Sequence, residues 1–567
     1  MKVLSKIHAK EMGIVVSYDP QFRMPVRPKI SKHIRLINYG DDGLIFDGAP
    51  EKQLLRGSAV KNFLYDLISL ADGTRTIQEI AETLNIYPYQ FIYNALALLY
   101  SRGLLQEGTS SHYLEETPYY KFIERHIDVT RVNVHPIEAI ERLHAYSVFI
   151  HGEPDDVEYL SNGLRQYDIC IVDHLTPFTE DNKLFAIAIC ESINNLEEIK
   201  PFAWKCYEYN IPWILITFSH NKIYIGPYFE RNETLCFECY LKQINSIDEI
   251  PIGTNTEMTD TLLRRIGLDY AGIEVVHLLS RIASSHLIHN LKKVNLETFE
   301  YAPINVSRIL FCEQCDPIKG MKPTINLVSQ YEGYVAFPSR HLINPKDHQN
   351  HYKQGNLALT KPSLVYPSCP HINLPHGDSL PELNYNPGDF SDLQLLTKLM
   401  LLTAGLKKNI GNNDPRVYRW APTGGNLGSV GVYFVNKGIK ELQKGIYFYE
   451  TSTHTLAQLN DSLEEQFLQK ITIDSRLSGL NLLGYLIFSG SYDRVYKKYK
   501  EFAYKIIHLD AGVAYAQSQV VAQLLGLELQ LCESWNNEEI EHLLRLDHLN
   551  EPVTLIATLH KRGERND

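Results

Sequence analysis

The 567-residue sequence lacks three features that would place a protein in a membrane, in the secretory pathway or on nucleic acid. No apolar run approaches the ~20 residues that a transmembrane helix needs. No N-terminal stretch joins a basic start, an apolar core and a small-residue cleavage site, so we expect no signal peptide. The net charge of -12 opposes general nucleic-acid binding, which needs a basic surface. We therefore predict a cytoplasmic protein with free thiols.

Cysteine is also scarce, yet four of the nine cysteines form two CxxC pairs. Cys236 and Cys239 lie in LCFECY, and Cys312 and Cys315 lie in FCEQCDP. Two such pairs can supply four thiolates to one tetrahedral Zn²⁺, which leaves no position for water or substrate. The pattern predicts a structural zinc site; a redox dithiol or a chance pairing is the alternative.

After an N-terminal tail of residues 1–20, residues 21–115 have the pattern of a small winged-helix module. The strands HIRLINYG and GLIFDG flank the turn Gly40–Gly43, which indicates a hairpin. Thr76 and Glu79 form a capping-box pattern before an amphipathic helix. A winged helix often binds DNA, but the acidic chain offers no basic recognition helix.

This module resembles the PqqD-like leader-recognition element of peptide-modifying enzymes, through LADGTRTIQEIAETL and ALLYSRGLLQEG. The resemblance implies that the leader of a ribosomal precursor peptide adds as a strand beside the small sheet. Backbone hydrogen bonds would then supply affinity, and alternate side-chain pockets would supply register. A plain winged helix used for packing or dimerisation is the alternative.

Residues 130–330 have an α/β pattern, in which short apolar strands alternate with helical stretches. The helical stretch EPDDVEYLSNGLRQ follows the first strand, and Gly226-Pro227 precedes the first CxxC pair. Together with the paired cysteines, these features resemble a ThiF-like, Rossmann-type domain of the adenylating enzymes. The predicted strands are SVFIHG, DICIVDH, LFAIAIC and PWILITF.

The ThiF-like segment departs from the adenylating pattern where the nucleotide would bind. Adenylating members carry a glycine-rich turn after the first strand, whose N–H groups hold the phosphates. Here only Gly152 remains, and Glu153, Asp155 and Asp156 would repel phosphate. We expect no ATP use, as in the degenerate ocin-ThiF-like partners of thiazole/oxazole-modified peptide pathways, bacteriocins among them. A generic nucleotide-binding fold with its own ligand is the alternative.

Residues 331–390 are rich in Pro, His and Asn and are predicted to be a linker and arm. Residues 391–567 are predicted to form a final α+β domain, which completes a multidomain α/β and α+β chain. Its predicted elements are the helix LQLLTKLMLLTAGLKKN, the hairpin KGIYFYETSTHTLAQL, a long helical region from KKYKEF to LELQL and the strand TLIATLH.

The final domain contains a glycine-rich loop in APTGGNLGSVGVYFV. This loop resembles the flavin-contacting loop of the nitroreductase fold, specifically of SagB-type dehydrogenases. The resemblance implies FMN binding, in which glycines let the backbone approach the isoalloxazine ring and an amide or hydroxyl bonds the flavin edge. A simple turn is the alternative. The candidate flavin residues in the loop are Pro422, Thr423, Gly424, Gly425 and Asn426.

A second segment follows the same family's pattern of Lys-Tyr, a later Tyr with a basic residue, and a small-residue helix. Here these are Lys498-Tyr499, then Lys505, then Gly512. The resemblance implies that Lys498 and Tyr499 are catalytic and that Lys505 and Gly512 help to bind flavin. A lysine of lowered pKa, or a tyrosine, could take a ring proton. A basic-aromatic solvent face is the alternative.

One family feature is missing, because no Arg-rich segment for the FMN phosphate stands near DSLPELNY, and Lys505 replaces an expected arginine. Arg416, Arg419, Lys561 and Arg562 are candidates to compensate, and a flavin-free scaffold is the alternative.

The whole pattern predicts an FMN-dependent dehydrogenase that oxidises azolines to thiazoles or oxazoles on a leader-bearing ribosomal peptide. The alternatives are another flavin-dependent oxidation of such a precursor, or a non-catalytic scaffold that presents it to a separate cyclodehydratase. A YcaO-type cyclodehydratase is therefore an expected partner. The nitroreductase resemblance further implies a homodimer.

Overall fold

The computed structural model divides the chain into two compact units, Ile7–Asn350 and His351–Asp567 with Met1–Lys6. We call these the first and second unit. No helix among the described residues has the length and apolarity needed to cross a bilayer. The structure describes residues 9–10, 13, 22–49, 52–108, 117–180, 183–244, 260–316, 320–336, 339–346, 359–361, 364–375, 387–407, 417–461 and 480–565.

The first unit begins with the predicted winged-helix elements. The β2–β3 hairpin confirms the expected turn, and β4 completes a three-stranded sheet in the order β2-β3-β4. The capping box is also confirmed, because Thr76 and Glu79 exchange side-chain and backbone hydrogen bonds. The elements are β1 (Pro28–Ile30), β2 (Arg35–Asn38), β3 (Gly43–Asp47), β4 (Gln53–Arg56), a π-helical turn (Val60–Leu64), α1 (Tyr65–Leu70), α2 (Ile77–Thr83), α3 (Tyr89–Ser101) and β5 (Leu105–Glu107).

A seven-stranded mixed sheet forms the main body of the first unit, in the order β12-β11-β10-β9-β8-β6-β7. The four predicted strands are confirmed as β6 to β9 and pair in parallel, whereas β10 to β12 extend the sheet in antiparallel fashion. The elements are α4 (Pro118–Thr130), α5 (Pro136–His144), β6 (Tyr146–His151), α6 (Pro154–Arg165), β7 (Cys170–Val172), β8 (Lys183–Cys190), a 3₁₀ turn (Ile193–Ile199), α7 (Lys200–Glu208), β9 (Trp213–Ser219), β10 (Lys222–Phe229), α8 (Phe237–Ile244), α9 (Thr261–Ser280), β11 (Asn290–Asn295), β12 (Tyr301–Asn305) and α10 (Leu327–Val335).

Both faces of this sheet are covered, which explains why the central strands are almost continuously apolar. Alternate residues of β8 point to opposite cores: Ala186 lies with the cysteine-bearing segments, and Ile187 lies with α6 and α9. All residues of β9 are buried. The sheet therefore separates the cysteine cluster from the helical layer on its other face.

Asp156 is not the free repelling charge that the sequence suggested. It lies on α6 directly after the degenerate loop, and its carboxylate accepts hydrogen bonds from Arg264 of α9, with Nε···Oδ1 at 2.9 Å. The Arg264 guanidinium also lies 4.5 Å from the centre of the Phe218 ring. This buried ion pair joins the two helices that cover the sheet. Asp155 beside it is exposed.

The second unit is built on an antiparallel seven-stranded sheet in the order β13-β18-β17-β16-β19-β21-β20. The predicted β17–β18 hairpin is confirmed, and β13, from the predicted arm, adds an outer strand. Its elements are β13 (His371–Asn373), α11 (Asp392–Ala404), β14 (Leu406–Lys407), β15 (Tyr418–Arg419), a 3₁₀ turn (Gly424–Asn426), β16 (Val430–Asn436), β17 (Gly445–Glu450), β18 (Thr455–Asn460), β19 (Leu480–Gly490), α12 (Tyr492–Tyr499), a 3₁₀ turn (Lys500–Phe502), α13 (Ala503–Leu524), β20 (Leu527–Leu531), α14 (Asn537–Leu544) and β21 (Val553–Arg565).

The long helical region was predicted too far, because α13 ends at Leu524 and LELQL is strand β20. Gly526 adopts a φ of 70°, which ends the helix in the left-handed conformation that glycine accepts readily. Leu527 and Leu529 are then buried on alternate positions, as a strand requires. The short strand was missed because it directly follows a helical pattern that extends to Leu524.

The Asp156–Arg264 pair gives a stability prediction for the first unit. Asp156→Ala leaves the half-buried Arg264 guanidinium without its carboxylate, so we expect the free energy of unfolding to fall by about 1–3 kcal/mol. Asp155→Ala, one residue earlier on the exposed face, should change it by less than about 0.5 kcal/mol. Urea unfolding followed by far-UV circular dichroism measures both. Equal stability of the two variants would refute a structural role for the pair.

Candidate functional site

The loop between β15 and β16 has an unusual backbone, which the glycine-rich sequence makes possible. Gly425, Asn426 and Gly428 have φ values of 58°, 58° and 63°, so two glycines and one asparagine occupy the left-handed region. The Gly428 N–H donates to Thr423 Oγ1 at 2.9 Å, which closes the loop on itself. We call residues 423–429 the glycine loop.

Lys498 and Tyr499, at the end of α12, lie directly against this loop. A Cβ atom built on Gly425 would fall 2.3 Å from Lys498 Nζ and 2.4 Å from the Tyr499 hydroxyl oxygen. Any other residue at this position would force the ends of these two side chains to shift. The two sequence segments that were predicted to act together are 73 residues apart and meet at one backbone position.

Asp510 holds the glycine loop from the other side. This residue of α13 is 6% exposed, and its carboxylate accepts the Gly424 N–H, with N···Oδ1 at 2.8 Å and N···Oδ2 at 3.1 Å. The hydroxyl of the fully buried Ser429 donates to the same carboxylate. Burial raises the pKa of Asp510, while its hydrogen bonds with Ser429 and Gly424 lower it.

Two arginines support the end of the loop. Arg419 donates to the Thr360 carbonyl at 2.6 Å and to Asn426 Oδ1 at 3.4 Å. Arg494, one turn before Lys498 on α12, donates to the Leu427 carbonyl at 3.0 Å. Burial lowers the pKa of Arg419 to about 10, and the nearby Arg494 charge adds to this effect.

Lys498 and Tyr499 are partly removed from water. Burial lowers the pKa of Lys498, which favours its neutral amine. Burial, and then the charge of Asp510, raises the pKa of Tyr499, which favours its protonated hydroxyl. The lysine is thus suited to accept a proton and the tyrosine to donate a hydrogen bond.

The other predicted flavin residues have different positions. Pro422 is exposed at the start of the loop. Lys505 and Gly512 both lie on α13, and Gly512 faces open space. Lys561 pairs with Asp392 at 2.9 Å, and Arg562 lines a cavity of about 320 Å³ with Gln519, Gln523 and Glu528. Arg416 and the DSLPELNY segment lie outside the described residues.

The glycine loop carries polar groups of the kind that an FMN site uses. Its glycines, however, make room for side chains of the protein itself. The positions that a Cβ would fill at Gly424, Gly425 and Gly428 are taken by side chains of the protein itself, namely Ile506, the Lys498-Tyr499 pair and Arg419. Glycine is required here to let those side chains reach the loop. Thr423 and Asn426 carry a hydroxyl and an amide, and both already bond within the protein: Thr423 Oγ1 accepts the Gly428 N–H, and Asn426 Nδ2 donates to the Val417 carbonyl.

The cysteine cluster in the first unit has the geometry of a closed metal site. The Sγ atoms of Cys236, Cys239, Cys312 and Cys315 all lie within 4.8 Å of one another. Cys236 and Cys312 are 3.6 Å apart, and Cys239 and Cys315 are 3.5 Å apart. These separations are close to the roughly 3.8 Å between sulfurs in a tetrahedral zinc site with Zn–S bonds of about 2.3 Å. The Ile309 N–H also donates to Cys239 Sγ, as an outer hydrogen bond to a ligand would.

Sequence reasoning missed three residues that shape the site, Ser429, Arg494 and Asp510. Asp510 stands in the LDAG segment, so a polar residue in an otherwise apolar helical stretch was a usable signal. Arg494 is four residues before Lys498 and therefore on the same helix face. Ser429 had no such signal.

Solved structures of low sequence identity resemble parts of the chain. The heterocyclase TruD is 17% identical with a TM-score of 0.40, over 52% of this chain and 43% of TruD. MccB from E. coli is 12% identical with a TM-score of 0.39, over 53% of this chain and 99% of MccB. The chain thus spans less than half the length of TruD. No curated protein sequence matches the chain.

The second unit has relatives of a different kind. A protein from Anabaena variabilis, solved as a candidate nitroreductase, is 23% identical with a TM-score of 0.30, over 38% of this chain and 45% of its own. The model of the nitroreductase family matches residues 393–559, a range that contains the glycine loop, Lys498, Tyr499 and Asp510. The part of the chain that carries the candidate site is therefore a nitroreductase-family domain.

Proposed function

We propose that this protein is an FMN-dependent dehydrogenase that oxidises azolines to thiazoles or oxazoles on a ribosomal peptide bearing a leader. The observation that carries the proposal is the contact of Lys498 and Tyr499 with Gly425 in the glycine loop. It unites the family's flavin loop with the family's catalytic pair in the matched domain. The residues proposed to hold FMN are Arg419, Pro422, Thr423, Gly424, Gly425, Asn426, Lys505 and Gly512.

The chemistry assigns a distinct task to each residue. Aromatising an azoline ring removes one proton and one hydride, and bound FMN supplies the hydride acceptor. Lys498 takes the ring proton, since burial favours its neutral amine. Tyr499, kept protonated beside Asp510, orients the ring through its hydroxyl. The loop side chains Thr423 and Asn426 orient the cofactor.

The leader is proposed to bind the three-stranded sheet of the first unit. Its outer strands β2 and β4 each pair with one neighbour among the described residues, so each has a free edge that can accept another strand. All four residues of β2 are exposed, and Leu36, Ile37 and Leu54 provide apolar side chains along the two edges. Tethering the leader would raise the local concentration of the core peptide.

The mixed sheet of the first unit is proposed to be a ThiF-like scaffold without ATP chemistry. A cavity of about 810 Å³ lies at the carboxyl ends of the parallel strands, where this fold class places ligands, and its lining is net acidic, with Arg264 and Arg265 against Glu153, Asp155, Asp156, Glu158 and Glu191. Such a lining disfavours phosphate. The four-cysteine cluster is proposed to hold structural Zn²⁺ behind the opposite face.

Two other functions remain distinguishable by experiment. The first is another flavin-dependent oxidation of a precursor residue, which would be identified by oxygen incorporation instead of loss of two hydrogen atoms per ring. The second is a flavin-free scaffold that presents the precursor to a separate YcaO-type cyclodehydratase. A colourless protein that does not take up added FMN would support the scaffold and contradict both oxidations.

The second unit is also proposed to form a homodimer through α13. One side of this helix leaves large apolar side chains exposed, although its other side is buried in the core. Leu509, Val513, Val520 and Leu524 recur at helical spacing and are 40–60% exposed. A monomeric mass of the FMN-loaded chain in analytical ultracentrifugation would contradict this.

The catalytic assignment predicts a specific loss of activity. Lys498→Ala should lower azoline oxidation by about 10²–10⁴-fold, because a general base is removed. Lys497→Ala is the matched control, since Lys497 is exposed on the same helix and pairs with Asp493. Mass spectrometry of a leader-bearing azoline peptide measures turnover, and a leaderless peptide should react more slowly.

The pH dependence follows from the same assignment. Lys498 must be neutral to accept a proton, so turnover should rise with pH and level off below the ordinary lysine pKa of about 10.4. Lys497→Ala should keep this profile. Unchanged turnover of Lys498→Ala would overturn the assignment.

The cysteine cluster predicts one zinc ion per purified chain, measured by plasma mass spectrometry. Cys312→Ser should lose the metal and lower the melting temperature of the first unit, because structural zinc stabilises the fold that binds it. Cys206→Ala, at a buried cysteine outside the cluster, should retain the zinc. Full zinc content in Cys312→Ser, or none in the unaltered chain, would contradict a four-cysteine site.

A further inference from the structure

We infer that Asp510 is a positioning residue: its carboxylate fixes the glycine loop beneath Lys498 and Tyr499, so that these side chains stay in their reactive arrangement. The inference rests on the proposed function, in which Lys498 and Tyr499 are the reacting pair. It adds a third residue, on α13, to which the family resemblance assigned no role.

The contacts place Asp510 at the root of the loop. Both carboxylate oxygens lie within hydrogen-bond distance of the Gly424 nitrogen, and one also accepts the Ser429 hydroxyl. Gly424 immediately precedes Gly425, the residue against which Lys498 Nζ and the Tyr499 hydroxyl pack. One buried side chain thus holds both ends of the segment that supports the reactive pair.

The buried carboxylate is paired with neutral donors. Among the described residues, no lysine, arginine or histidine forms an ion pair with Asp510, whose carboxylate instead accepts hydrogen bonds from the Gly424 N–H and the Ser429 hydroxyl. A buried carboxylate without a cation costs stability, because desolvation is not offset by an opposite charge. A purely structural anchor would not need that charge, since an amide could make the same contacts.

The negative charge of Asp510 also affects the protonation of Tyr499. Burial is the main cause of the raised pKa of the Tyr499 hydroxyl, and the charge of Asp510 adds to it, which favours the protonated state. Tyr499 then remains a hydrogen-bond donor while Lys498 accepts the proton. Asp510 thereby helps to keep Tyr499 a hydrogen-bond donor and Lys498 a proton acceptor.

The test measures the reactivity of Lys498 in the full chain without added FMN. Trace acetylation with acetic anhydride, followed by peptide mass spectrometry, reports how accessible and how neutral each lysine amine is. Lys497 of the same helix is the internal standard, because it is exposed. Asp510→Ala should raise Lys498 labelling several-fold relative to Lys497, since the released loop would let the reagent reach the Lys498 amine; labelling at a pH where both amines are neutral removes the opposing effect of a raised Lys498 pKa.

Two further variants separate positioning from general stability. Asp510→Asn retains an acceptor for Gly424 and a partner for Ser429, so it should restore the low labelling of Lys498. Asp493→Asn makes the same chemical change at an exposed site on α12 and should leave labelling unaltered. Lys498 labelling that is unchanged in Asp510→Ala, or raised together with Lys497, would overturn the inference.

A second measurement begins with the unaltered chain. In the unaltered chain, the Gly424 amide donates to a buried carboxylate, so its hydrogen exchange should be slow although it lies in a loop. Ser429→Ala should accelerate this exchange. Exchange of Gly424 as fast as that of an exposed loop amide would overturn the inference. Absence of FMN binding would instead contradict the proposed function and leave both measurements interpretable.

Discussion

The close packing of Lys498 and Tyr499 against Gly425 is the constraint on which the second unit's site depends. A Cβ atom at that position would overlap both polar ends, so the contact exists only because the loop has a glycine in the left-handed conformation. The remaining features of the site support that arrangement. Asp510 of α13 binds both ends of the loop, at Gly424 and Ser429, and Arg494 of α12 donates to the Leu427 carbonyl. Removing any of these would move the pair relative to the loop.

In the first unit, an ion pair fastens the helix that follows β6. This helix, α6, begins with acidic residues, and Asp156 binds Arg264. The ion pair fastens two helices over the sheet, and the remaining carboxylates face a cavity of about 810 Å³. The sheet, its covering helices and the cysteine cluster can thus persist without phosphate recognition. The proposed chemistry is then carried by the second unit alone.

Local patterns predicted much of the fold and part of the site. Continuous apolar runs identified β6 to β9, because strands covered on both faces must be apolar throughout, and Thr76 with Glu79 identified a helix start. Strand β20 was missed because LELQL directly follows a long helical pattern and was predicted to be part of the same helix. Asp510 was missed as a functional residue because its partners, a backbone amide and a hydroxyl more than 80 residues away, leave no trace in local spacing. The domain boundaries at 20, 115, 330 and 390 stay predictions.

The central claim is that the glycine loop, Lys498 and Tyr499 form a flavin site that oxidises an azoline. Anaerobic mixing of the FMN-loaded chain with a leader-bearing azoline peptide tests it most directly, with flavin absorbance followed in a single turnover. The account predicts that flavin absorbance bleaches as azole forms in equal amount, and that FMN-loaded Lys498→Ala stays yellow. Azole formation without flavin bleaching, or bleaching of Lys498→Ala at the unaltered rate, would contradict it.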